Sequence, residues 1–409
     1  MFKLTVGIVV SGSVVVGCMV PPESEELRET EAAATLTENG LSAINGLNAH
    51  NGLSAINGLN AHNGLSAING LSAINGLSAI NGLITTDAFT TMSYLVRCAL
   101  PAGHTINMKN LNGTLMPLKG QIGIAPEWET GACGTDCQEK VSACLLAHVN
   151  TSGKHIALWL DGPDAAIGWG KNASYPFQEG SFFGNIFLPT PVANYCNGVD
   201  FEYGVVPGRL GANQTGAPYT DPIGTNALCS SGCTAASGTY PYNDGFSVCY
   251  GWGGVAYKHV VTVWRDFDPT TAYKICDRQT GYCLKTQNST AGSQIVKAPY
   301  VAGATAQQWM VTQTAAGSGK YKVVNVATGM ALATANGSSA LNAAIVQAPY
   351  TGAATQMFLF KSVADGTGFF QIQPSTTTMD AIGTGTGSNV VLESWGWVDD
   401  QKMAIQVAN

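Results

Sequence analysis

The chain has 409 residues, of which only 11% are charged, with 26 acidic against 19 basic side chains and a formal net charge of −7. No cluster of Lys and Arg occurs along it, which excludes nucleic acid as an expected partner on electrostatic grounds. Glycine is abundant at 49 residues, a composition that suits short strands joined by many turns better than a helical architecture.

At the N-terminus, Met1-Phe2-Lys3 is followed by an uncharged stretch from Leu4 to Val16. Its length and flanks predict a secretory signal and not a membrane-spanning helix. The small residues before Cys18, in Val15-Val16-Gly17-Cys18, resemble the lipobox of bacterial lipoproteins. That resemblance implies a signal peptide over 1–17, lipid attachment at Cys18 and a membrane as partner. Met19 in place of Asp implies, by the same resemblance, the outer membrane and the cell surface. Each buried CH₂ of an acyl chain contributes ~0.8 kcal/mol, so two or more chains give stable anchoring. The alternative is an ordinary Cys18 in a signal peptide cut elsewhere.

Residues 18–40 form an acidic linker, with Glu23, Glu25, Glu26, Glu29, Glu31 and Glu38 against Arg28 alone and no apolar periodicity. Residues 41–83 form a hexapeptide-repeat spacer of seven units, five Leu-Ser-Ala-Ile-Asn-Gly and two Leu-Asn-Ala-His-Asn-Gly. Its apolar period of three fits neither a helix nor a strand, and the recurring Asn-Gly steps favour turns. Two readings stay open, a flexible spacer and a small β-solenoid with Leu and Ile stacked inward. His50 and His62 substitute for Ile in this repeat and make no metal site by themselves.

Residues 84–268 read as a separate disulfide-bonded domain, mostly β or α+β. Besides Cys18 the chain has ten cysteines, an even number that predicts five bridges in an exported protein. Alternation over His155–Leu160 and Tyr257–Trp264 predicts strands, and Val141, Cys144, Leu145 and His148 on one face predict a helix over Gln138–His148. The segment resembles exported domains of the myxobacterial type, and the resemblance brings no function with it. Cys133-x₃-Cys137 and Cys229-x₃-Cys233 have the spacing of zinc half-sites, with disulfides as the competing and preferred reading. Cys98 with His104, His148 or His259 is a conceivable nucleophile pair. Glu127, Glu129, Asp161, Asp164, Glu179, Asp200 and Glu202 are carboxylates of the kind a glycosidase uses, but the pairing such chemistry needs is spatial. No Gly-x-Ser-x-Gly, His-Glu-x-x-His or phosphate-binding loop appears. The sequence therefore assigns no catalytic residue, metal or cofactor.

The C-terminal segment repeats one phrase three times: Gln307-Gln308-Trp309, Gln356-Met357-Phe358 and Gln401-Lys402-Met403, at separations of 49 and 45 residues. Each Gln follows an aromatic, Tyr300, Tyr350 or Trp395, six or seven residues earlier, and an apolar pair before that. Three copies of one short β-rich unit predict a threefold closed barrel. On these residues, 270–409 resembles the ricin-type β-trefoil lectin domain with its Gln-x-Trp motif. Tyr273-Lys274-Ile275-Cys276-Asp277 and Tyr321-Lys322-Val323-Val324-Asn325 add to the likeness. The resemblance implies that Gln307, Trp309, Gln356, Phe358 and Gln401 are fold markers and that the partner is carbohydrate or polysaccharide. At the family's sugar-binding Asp stand Lys285, Ala333 and, in the third lobe, Ile382 or Gly383, so its usual galactose recognition does not carry over. The candidate sugar contacts are Tyr300, Tyr350, Trp395 and Trp397, whose rings offer apolar faces with a polar edge. Asp277 and Asn325 join them, with a turn role as the competing reading. Cys276 and Cys283 lie across one apparent hairpin and are expected to pair.

The expected architecture is mostly β: a C-terminal β-trefoil preceded by a disulfide-bonded mostly-β or α+β domain and a low-complexity N-terminal spacer. Carbohydrate binding by a surface lipoprotein is the leading functional expectation. A hydrolase with a catalytic middle domain and a structural envelope protein with a sugar-inactive trefoil are the alternatives.

Overall fold

The computed structural model describes residues 35–39, 41–42, 83–84 and 86–408, apart from 111–112, 151–155, 171, 189–191, 210–222, 237–244, 364–367, 378–379 and 384–387. The expected signal peptide, Cys18, most of the acidic linker and the hexapeptide units over 43–82 lie outside these residues. The described residues belong to one compact unit. Among the described residues, no helix is long and apolar enough to cross a membrane.

The middle domain is built on a six-stranded sheet in the order Thr35–Asn39, Ile156–Asp161, Val261–Arg265, Phe177–Asn185, Val192–Asn197, Ile223–Leu228. All neighbours are antiparallel except the last pair. The end of the acidic segment is thus an edge strand. Helix Thr135–Ala147 covers one face, held by Asn185 Nδ2 donating to Gln138 Oε1 at 3.0 Å and the Ile186 amide donating to Ser142 Oγ at 3.0 Å. A second helix, Thr86–Ala99, buries Met92, Leu95, Val96 and Ala99, the i, i+3, i+4, i+7 stripe of an amphipathic helix. Strand Phe177–Asn185 is buried along its whole length, so it shows no alternation.

Among the described residues there are five disulfides: Cys98–Cys144, Cys133–Cys137, Cys196–Cys229, Cys233–Cys249 and Cys276–Cys283. The first ties the two long helices together. Inside the sheet, Glu179 pairs with Arg209 at 2.7 Å and lies 3.6 Å from Arg265, while Arg209 also donates to the carbonyls of Ala147 and Val149. Two guanidiniums around one buried carboxylate compensate a desolvation that a lone charge could not bear.

The C-terminal segment is a β-trefoil of three four-stranded lobes. The first comprises Ala272–Asp277, Cys283–Thr286, Ile295–Ala298 and Trp309–Gln313. The second comprises Tyr321–Asn325, Ala331–Thr334, Ile345–Ala348 and Phe358–Ser362, and the third Phe370–Pro374, Asp380–Gly383, Val391–Ser394 and Lys402–Val407. The outer strands of the lobes close a six-stranded ring, which leaves no open edge. The inner two strands of each lobe form a hairpin cap. Equivalent residues fill the core in threes: Trp309, Phe358 and Met403; Ile275, Val323 and Ile372; Leu284, Leu332 and Ile382.

This barrel does not end in solvent. Phe177 and Phe267 of the middle domain plug it, with Phe267 lying 5.1 Å from Tyr273, 5.3 Å from Tyr321 and 5.4 Å from Phe360, centroid to centroid. Phe177 meets Phe370 edge-on at 5.7 Å. At the same boundary Tyr321 donates its hydroxyl to Asp266 at 2.8 Å, and the Asp268 amide donates to the Tyr273 hydroxyl at 2.9 Å. The expected boundary at 268–270 therefore runs through a shared hydrophobic core.

Candidate carbohydrate-binding site

The three motif glutamines do one job in three places. Gln307 accepts the Val301 amide at Oε1 (2.9 Å) and donates from Nε2 to Pro299 O (2.9 Å), so it grips the backbone on both sides of Tyr300. Gln356 accepts the Thr351 amide (2.7 Å) and donates to Pro349 O (2.7 Å), on both sides of Tyr350. Gln401 accepts the Gly396 amide (2.7 Å) and donates to Ser394 O (2.7 Å), on both sides of Trp395. All three glutamines are buried. A buried amide whose oxygen and nitrogen are both satisfied fixes the loop it holds, and each loop presents one aromatic ring. Trp309, Phe358 and Met403, two residues further on, point into the core, and Trp309 Nε1 donates to Leu284 O at 3.2 Å.

The rings differ in surroundings. Tyr300 is half-buried and Tyr350 is 37% exposed. Lys274 Nζ sits 4.9 Å from the Tyr300 ring centre and Lys322 Nζ 5.4 Å from that of Tyr350, both cation–π contacts. Trp395 is half-buried and lies 5.4 Å from Trp397, the rings tilted by 53°, and Trp397 is 60% exposed.

Asp277 and Asn325 are buried and engaged in turns. Asp277 accepts the Thr280 amide and hydroxyl at 2.6 and 2.7 Å, with Lys297 Nζ 3.5 Å away. Asn325 accepts the amides of Ala327 and Thr328 and donates to Ala306 O and Gln308 O. The short polar side chain closes its own backbone turn in both lobes. Cys276 and Cys283 are bonded to each other across the first-lobe hairpin, in direct register.

The middle domain's candidate catalytic groups are dispersed. Cys133 pairs with Cys137, Cys229 with Cys196 and Cys233 with Cys249, so the thiols with zinc half-site spacing are in bridges, the preferred reading. Cys98 is bonded to Cys144, which removes it as a nucleophile. His148 is buried beside that bridge, bonded through Nδ1 to Cys144 O at 2.8 Å, and burial pushes its pKa down to about 3. His104 meets Glu129 at 2.7 Å on the surface. Among the carboxylates, Glu179 is bound by arginine, Asp161 accepts Trp264 Nε1 at 2.8 Å, Asp164 meets Lys140 at 3.0 Å, and Asp200 accepts the Gln178 amide at 2.7 Å. Glu202 accepts from Asn197 Nδ2 at 2.9 Å. Each of these carboxylates is committed to a neighbouring group.

The family-model match falls on the trefoil. Residues 262–347 and 305–395 match the family model for a ricin-type beta-trefoil lectin domain-like region. No curated protein matches the chain. Among solved structures, the designed threefold-symmetric protein ThreeFoil is 25% identical over 33% of this chain and 97% of its own, with a TM-score of 0.31. The Rhizoctonia solani agglutinin is 17% identical over 35% of this chain and 97% of its own, at a TM-score of 0.30. An exo-beta-1,3-galactanase from Clostridium thermocellum is 18% identical over 41% of this chain, at a TM-score of 0.31, and only 39% of that enzyme is covered. The segment 262–395 thus matches the ricin-type β-trefoil lectin-like family, as its fold and its three Gln motifs do.

Proposed function

We propose that this protein binds carbohydrate through its C-terminal trefoil. The observation that carries the reading is the repeated bracket: in each lobe one buried Gln holds the backbone on both sides of a single aromatic residue. Fixing a ring at the surface lowers the ordering cost of stacking a sugar on it. The match of 262–395 to the ricin-type lectin-like family supports the same reading. Individual sites on a shallow surface bind weakly, and several copies on one surface raise the effective concentration.

We further propose export and anchoring at the cell surface through Cys18, on the uncharged stretch from Leu4 to Val16 and the small residues before Cys18. Membrane fractionation of the Cys18→Ser protein tests this part: release into the soluble fraction is expected, and unchanged membrane retention argues against the anchor.

The test of binding uses the whole oxidised protein, because the trefoil's core is completed by Phe177 and Phe267. Retention on a glycan array is expected, with loss in the folded Tyr300→Ala, Tyr350→Ala, Trp395→Ala triple variant. A folded wild-type protein that binds no glycan would sink the reading.

A further inference from the structure

The third lobe departs from the other two at one backbone position. Four residues before each motif glutamine the chain is left-handed: Gly303 at φ 77°, Gly352 at φ 79° and Trp397 at φ 62°. Glycine adopts that conformation at no steric cost, whereas a bulky residue there is a genuine outlier. Packing does not account for Trp397, since 60% of it is exposed. A strained residue kept at the surface calls for a role outside folding. The loop holding it is tightly fixed: Gln401 clamps Gly396, and Asp399 is tied to Lys402 at 3.1 Å and to Arg278 at 3.7 Å.

The electrostatics of the lobes also differ. Lys274 follows Tyr273 and Lys322 follows Tyr321, and each places its ammonium over the ring of its own lobe. At the equivalent place after Phe370 the third lobe has the uncharged Gln371. A sugar stacking on Tyr300 or Tyr350 has a cation to displace on that face, while Trp395 and Trp397 form a tilted indole pair. The segment from Glu393 to Asp400 contains three carboxylates, Glu393, Asp399 and Asp400, and no cation. Even with Arg278 and Lys402 counted, both tied to Asp399, the three carboxylates of this stretch leave one negative charge in excess.

We infer that carbohydrate binding is concentrated in the third lobe, on a Trp395–Trp397 platform selective for neutral pyranose chains over anionic ones. This rests on the carbohydrate-binding reading above. Two indoles 5.4 Å apart offer more apolar face than either tyrosine alone, and the excess negative charge of the stretch that carries them disfavours uronate or sulfate groups.

The experiment measures retention of the whole oxidised protein on a neutral glucan, a neutral galactan and polygalacturonate, together with its melting temperature. Trp397→Asn keeps a residue that tolerates the left-handed conformation. It is expected to weaken neutral-glycan binding tenfold or more while leaving the melting temperature equal or higher, and Trp397→Tyr to retain binding within about threefold. Unchanged binding by Trp397→Asn would overturn the inference and leave the wider reading standing. So would tighter binding of polygalacturonate than of both neutral chains, or loss of binding on replacing Tyr300 and Tyr350 but not Trp397. If the folded wild type retains none of the three and no glycan on the array, both readings fall together.

Discussion

The trefoil and the middle domain reach a stable core by opposite routes. The trefoil buries the same few apolar residues three times and closes its sheet into a ring, with its buried amides spent on its own loops. The middle domain relies on four disulfides and a buried Glu179–Arg209–Arg265 cluster, around a central strand whose Gly180 and Gly184 admit close backbone neighbours. Symmetric closure makes a fold readable from a repeat, whereas cross-links and buried charge make one that depends on individual partners. The two are nevertheless joined, because Phe177 and Phe267 finish the barrel.

That contrast can be broken at several points. Glu179→Ala should be among the most damaging single changes in the middle domain, about 3–5 kcal/mol in urea unfolding, because it leaves Arg209 buried without its carboxylate. A loss under about 1 kcal/mol would show that water or another group replaces the pair. Phe267→Ala should cost about 3–5 kcal/mol through the cavity it opens, and near- and far-ultraviolet signals should move together if the two regions unfold as one unit. Two separated transitions would instead show that the two regions unfold independently despite their shared core. Among the bridges, chain entropy ranks Cys98–Cys144, with a separation of 46, at about 4 kcal/mol and Cys276–Cys283, with a separation of 7, at about 2.5 kcal/mol. Paired Cys→Ser variants measure the order, and the reverse order would place more of the stability in the trefoil's hairpin than its size suggests.

The smallest effect concerns pH. Asp266, at the junction of the two regions, is pushed up to about 6 from 3.8, chiefly by burial. Its folded value is the higher one, so its contribution is full below about pH 4 and is lost as pH rises through 6. The wild type should therefore fall in stability relative to Asp266→Asn between pH 4 and 6, measured by melting at each pH. Parallel curves would mean that the carboxyl is better hydrated than its burial implies.

The trefoil was legible because its signal is repeated. The Gln-x-Trp phrases, the apolar pairs and the Cys276 hairpin all stand in the structure at equivalent places. What the sequence did not reveal was the work of the glutamines, which grip carbonyls and amides several residues upstream only after the loop has turned back. The strain at Trp397 left one trace, since the other two repeats have Gly at the matching distance from Gln. In the middle domain, helix Thr135–Ala147 lies where the apolar face of Val141, Cys144 and Leu145 puts it. Helix Thr86–Ala99 carries an equally regular stripe at Met92, Leu95, Val96 and Ala99. Strand Phe177–Asn185 had no period to find, because both its faces are covered and it includes a buried Glu. The number of disulfides followed from counting, but three of the five pairings depend on which strands and helices meet.

The most direct test of the account is to titrate the oxidised whole protein with a bound neutral glycan in three single variants, Gln307→Ala, Gln356→Ala and Gln401→Ala. Each loses the bracket around its aromatic, and each should lower stability by about 1–3 kcal/mol. The account predicts that Gln401→Ala alone also weakens glycan binding severalfold or more, because it frees the loop that presents Trp395 and Trp397. Equal binding by all three folded variants would contradict the claim that the glutamines build the site.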